Sequence, residues 1–119
     1  MLRTLLLAAV MALGLLLPDT AAAHAVLVDS LPAPKAKVVG SKVEFNLHYN
    51  SRVDAKRSRL TLKGPAGARA LEVRQGKTEA DLAADIVTLA PGGYVLHWDV
   101  LSVDGHVSRG QVPFTATER

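Results

Sequence analysis

The chain carries His24, His48, His97 and His106 and no cysteine, and two of these histidines stand where an imidazole can meet other metal-binding atoms. His24 follows the run "AAA". If the chain is cut between Ala23 and His24, the histidine gains a free α-amine, and that amine and its imidazole Nδ1 close a chelate ring on a metal ion. His106 ends "SVDGH", in which Gly105 permits a backbone turn barred to other residues, so the Asp104 carboxylate and the His106 imidazole can face one side of a loop. Taken alone, this tripeptide is equally a good turn followed by an exposed histidine. Added to the two nitrogens of His24, it completes a set of three nitrogens and one oxygen. A nitrogen-rich, oxygen-completed tetragonal set favours Cu(II), which also heads the divalent affinity order, whereas zinc prefers a tetrahedral shell.

The cut itself is legible. Arg3 is followed by the apolar run "TLLLAAVMALGLLL" and then by "PDT", the charged, apolar and small-residue order of a secretory leader. The run is too short for a span that needs roughly 20 apolar residues, Pro18 interrupts it, and Ala21 and Ala23 satisfy the A-x-A rule. Residues 1–23 are therefore read as a signal peptide and 24–119 as one exported domain. Removing 23 of 119 residues leaves 96, near the lower end of what buries a self-sufficient core. Both methionines, Met1 and Met11, leave with the leader. Without cysteine the domain cannot be stapled by disulfides, and without either sulfur residue it has no soft ligand for Cu(I).

The elements that must position these residues read as strands. "KVEFNLHY" alternates, with Val43, Phe45, Leu47 and Tyr49 on one face and Lys42, Glu44, Asn46 and His48 on the other. "RLTLK" from Arg59, "ALEVR" from Ala70, "DIVTL" from Asp85, "YVLHWDVL" from Tyr94 and "QVPFTAT" from Gln111 follow, separated by "GPAG" and "APGG". "KTEADLAAD" is compatible with a helical turn or two, and "LPAPKAKVVGS" reads as an extended crossing between sheets. Short strands at this spacing imply an all-β antiparallel sandwich or barrel. Trp98 shares parity with Tyr94, Leu96 and Val100 and is assigned to the core. His48 and His97 fall on the polar parity and are read as solvent-facing. The net charge of +3 is spread among acids, as in "RVDAKRSRL", so nothing suggests nucleic acid. Only "TER" follows the last strand, so no carboxy-terminal membrane anchor is expected.

The beginning "HAVLVDSLPAP", the strand "VEFNLHYNSRV" and the end "GGYVLHWDVLSVDGHVSRGQVPFTAT" resemble the CopC/PcoC family of small periplasmic copper-binding proteins. The resemblance covers essentially all of the exported chain. It implies a Greek-key β-barrel or sandwich of about seven strands, immunoglobulin-like or cupredoxin-like, with a periplasmic address. It also implies one Cu(II) ion held by His24, Asp104 and His106, a role in copper homeostasis or resistance, and delivery to a CopD-like inner-membrane importer. The chain departs from the family twice. It lacks the methionine-rich loop that gives some members a Cu(I) site, so that site is expected to be absent. Where members often carry an acid after the strand, this chain has Ser51 in "LHYNS".

Two other readings compete with a copper carrier. A copper oxygenase built on a histidine brace would need a second brace histidine and a broad surface of exposed aromatics, whereas Phe45, Tyr49, Tyr94, Trp98 and Phe114 all read as core. A plain immunoglobulin-like structural domain would make the histidines incidental. The expectation is a binding protein and not an enzyme.

Overall fold

The computed structural model describes residues 25–118; residues 1–23, read above as a leader, and His24 and Arg119 lie outside the described residues. Nine strands among them form two sheets: β1 (Leu27–Leu31), β2 (Ala36–Val39), β3 (Val43–Tyr49), β4 (Arg59–Gly64), β5 (Gly67–Leu71), β6 (Val73–Gln75), β7 (Asp81–Val87), β8 (Gly92–Leu101) and β9 (Val107–Thr117). One sheet runs β1-β3-β7-β6 and the other β2-β9-β8-β4-β5. The architecture is the expected all-β sandwich. None of the described helices is long and apolar enough to cross a membrane.

The inward faces follow the period-two pattern. Val43, Phe45, Leu47 and Tyr49 of β3 face Leu96, Trp98 and Val100 of β8 and Val112, Phe114 and Ala116 of β9, and all are buried. Aromatic contacts join the sheets: Phe45 meets Phe114 edge-on at 6.0 Å, and Tyr49 meets Trp98 edge-on at 5.3 Å. Each fully buried large apolar side chain contributes about 1.5–3 kcal/mol. In a chain without disulfides, this packing must hold the fold.

Three elements differ from the sequence reading. The expected strand 70–74 is divided between β5 and β6, which lie in different sheets, with Glu72 at the crossing. "KTEADLAAD" forms no helix; Thr78 and Asp81 close a turn through Thr78 N–H to Asp81 Oδ2 at 3.0 Å, and β7 then begins at Asp81. The proline-bearing loop does cross between sheets, but its second half becomes β2, paired in parallel with β9.

Gly110 of β9 is dictated by packing, because a Cβ there would lie 2.3 Å from Cζ2 of Trp98. The indole lies over the bare backbone opposite it in register. Gly110→Ala should therefore cost about 1–3 kcal/mol by overpacking and shift the emission of the single tryptophan. Thermal unfolding followed by Trp98 fluorescence checks both; an unchanged midpoint would refute this packing account.

Candidate metal centre

β8 and β9 are joined by the turn Ser102 to His106, and that turn sets the geometry of the "DGH" residues. Ser102 N–H donates to His106 O and Gly105 N–H to Ser102 O, both at 2.9 Å. Gly105 has φ of 94°, the left-handed conformation that glycine adopts without a Cβ penalty. The Ser102 hydroxyl donates to the Asp104 carboxylate. His106 Nδ1 stands 3.3 Å from Asp104 Oδ1, with both side chains about half exposed. The turn thus places carboxylate and imidazole on one side, as the glycine implied. The Ser102 hydrogen bond is the largest influence and, with smaller contributions from His106, prevails over an opposing desolvation to hold the Asp104 carboxyl below its ordinary range. It remains an anionic donor well into acid.

The segment 50–54 brings the start of the fold to this turn. Val26 N–H donates to Asn50 Oδ1 at 2.8 Å, and Asn50 N–H returns a bond to Val26 O at 3.0 Å. Val103 N–H donates to Arg52 O at 3.2 Å, Val53 bridges Ser102, and Asp54 N–H donates to Leu101 O at 2.8 Å. Asn50 and Arg52 are two residues apart, about 7 Å of extended chain. The chain therefore enters the sandwich beside the loop that carries Asp104 and His106. Ala25, the first described residue, is buried in the core. Among the described residues no group of three or more His, Cys, Asp or Glu side chains is placed to hold a metal. Asp104 and His106 are two suitable donors, and the remaining expected ligand, His24, lies outside the described residues.

The other histidines are not brought to this turn. His48 lies on the outer face of the β1-β3-β7-β6 sheet, with Nδ1 2.5 Å from Oδ1 of the buried Asp81. His97 pairs in register with Thr61 and Gln111 on the outer face of the other sheet. Ser51, the position at which the family resemblance led an acid to be expected, has a buried hydroxyl with no hydrogen-bond partner among the described residues. It sits in the lacing segment but supplies no carboxylate. Two contributors escaped the sequence reading. Asn50 fixes the entry of the chain, and nothing in its sequence context distinguishes it from a turn residue. Ser102 orients Asp104, and the S-x-D spacing, common in local side-chain turns, was a usable signal.

A CopC domain model matches residues 27–117. The Escherichia coli K12 protein YobA is 32 % identical over an alignment covering 78 % of each chain. Among solved structures, CopC from Methylosinus trichosporium OB3b superposes with a TM-score of 0.69 at 30 % identity, covering 78 % of this chain and 93 % of that one. PcoC, a methionine-rich copper resistance protein from Escherichia coli, gives 0.62 at 26 % identity, covering 80 % and 100 %. A domain match that spans the sandwich from β1 to β9, and relatives that share both its sequence and its architecture, establish that the chain belongs to the CopC family.

Proposed function

We propose that the protein binds one Cu(II) ion through the α-amine and imidazole of His24, the imidazole of His106 and the carboxylate of Asp104, and carries or buffers copper in the periplasm. The single observation that supports this most is the lacing of the chain entry to the "DGH" turn through Asn50 and Arg52, which brings Val26 to the end of the sandwich that carries Asp104 and His106. The family and the copper resistance protein among its structural relatives agree with copper as cargo. A carrier reading also suits the surface. All five aromatic residues are buried, so none forms the exposed platform that an oxygenase acting on polysaccharide would use.

Each donor has a defined task in this reading. Asp104, held anionic by Ser102, neutralises part of the ion's charge, and the imidazole beside it provides a nitrogen whose position the Gly105 turn determines. The His24 amine and ring contribute a bite fixed by covalent geometry. The partner is a copper acceptor, for which a CopD-like inner-membrane importer is the natural candidate. Intact mass of the exported protein should correspond to a chain starting at His24, and Cu(II) titration should saturate at one tight equivalent. A retained leader, or a start at Ala23 or Ala25, would remove the chelate and defeat the reading.

A further inference from the structure

Among the described residues, the half-exposed His48 has its ring held by a buried carboxylate. It stands in the middle of a cross-strand row, with Asp29 of β1 opposite it on one side and Asp81 of β7 on the other. Asp81 is buried, and its carboxylate accepts hydrogen bonds from Thr78 N–H at 3.0 Å and Thr78 Oγ1–H at 2.8 Å in addition to the His48 ring at 2.5 Å. Burial alone would raise its pKa, but these bonds outweigh it and hold the carboxyl below the ordinary value. An ionised carboxylate only accepts, so His48 Nδ1 is the donor and carries the ring proton. The Nε2 lone pair is then left free. Because Nδ1 is engaged by Asp81 of β7, Nε2, on the far side of the ring, faces away from that carboxylate.

Asp29 completes the arrangement. Residues directly opposite across antiparallel strands have Cβ atoms about 4.5–5.5 Å apart, and Asp29 is exposed. One of its oxygens accepts Ser30 N–H at 2.9 Å, leaving Oδ2 for another partner. No ion pair links it to His48, so the two stand as neighbouring, uncommitted donors. Glu44 on β3 itself and Asp85 on the neighbouring β7 are also exposed. Arg74 on β6 is engaged with Asp85 at 3.2 Å. A buried carboxylate gripping one ring nitrogen of a half-exposed histidine is the arrangement that orients histidines for metal.

We propose that His48 Nε2 and the Asp29 carboxylate form a second, weaker, solvent-completed site for a divalent transition-metal ion of the Cu(II) or Zn(II) class on the outer face of the β1-β3-β7-β6 sheet, with Asp81 as its positioning residue. Two protein donors with water in the remaining positions give a site that loads after the tight one and exchanges readily. It is independent of His24, Asp104 and His106.

The test uses Zn(II), which is diamagnetic, in exported protein carrying His106→Ala and one extra residue before His24, so that both the amine chelate and the second imidazole of the tight site are removed. Zn(II) should shift the ring resonances of His48 and saturate at one weak equivalent. His48→Ala should abolish that equivalent. His48→Gln, whose amide can still donate to Asp81, should abolish it too while keeping the unfolding midpoint, which separates loss of the ligand from loss of the fold. Asp81→Asn, which cannot hold Nδ1–H in the same way, should weaken binding by about 10–100-fold, and Asp29→Asn should also weaken it. Unshifted His48 resonances at saturating Zn(II), or a Zn(II) equivalent that survives His48→Gln, overturns the proposal. Neither result bears on the tight Cu(II) site.

Discussion

One extra residue placed before His24 is expected to lower Cu(II) affinity by orders of magnitude while leaving the apo domain folded. The extension converts the α-amine into an amide, whose nitrogen has no available lone pair, and so dissolves the chelate without altering a side chain. His106→Ala should weaken binding on the same scale by removing an imidazole. The His106 side chain is half exposed, so its loss should change stability by only about 0.5 kcal/mol. His97→Ala, on the opposite outer face, should leave the affinity of the tight site unchanged. Competition with a chromophoric Cu(II) chelator measures all three. The same assay should show copper lost as pH falls from about 8 to 5, because in model peptides a free α-amine titrates at about 7.7–8.0 and a free imidazole at about 6.5, and nitrogen donors must be deprotonated to bind. Asp104 is held below the ordinary carboxylate range, so it stays charged throughout that window and the nitrogens govern the loss. An extended chain that binds as tightly as the native one would remove His24 from the site.

Reduction should have an effect of comparable size. Residues 24–119 contain no methionine or cysteine, and nitrogen and oxygen donors in a tetragonal set suit Cu(II) far better than Cu(I). Ascorbate should therefore drive copper from the protein to a competing thioether or thiolate acceptor. Stoichiometric Cu(I) retention against a Cu(I)-specific chelator would contradict the donor set and point to a histidine site. Loss of copper on reduction would make this chain a Cu(II) specialist, in contrast to the methionine-rich copper resistance protein among its structural relatives.

Much of this was legible because β-strands write their faces into alternate residues. β3 and β8 are one-side-buried strands, and their alternation revealed both the core set and the outward histidines. The "DGH" turn was legible for a different reason, since carboxylate, glycine and imidazole together restrict what the backbone and the side chains can do. β2 was not, because four residues with a weak burial contrast carry too little pattern, and their parallel partner β9 is 78 positions away in the Ala36 to Phe114 pair. Nor was the split at Glu72, where the alternation continues through the point at which the chain changes sheets. Asn50 and Asp81 reach Val26 and His48, both distant in sequence, through hydrogen bonds, and such bonds leave no periodic trace. His48 looked like a plain surface residue because its partner Asp81 sat in a segment that read as helical.

The central claim is that the amine of His24 and the ring of His106 bind the same Cu(II) ion. Electron paramagnetic resonance of the protein loaded with one equivalent of Cu(II), recorded for the native chain, His106→Ala and the chain extended before His24, tests it most directly. The native spectrum should be axial, with ligand hyperfine structure from three equatorial nitrogens, the spinless carboxylate oxygen adding none. Each variant should lose nitrogen coupling. Native spectra from both variants would show that copper sits elsewhere and would contradict the account.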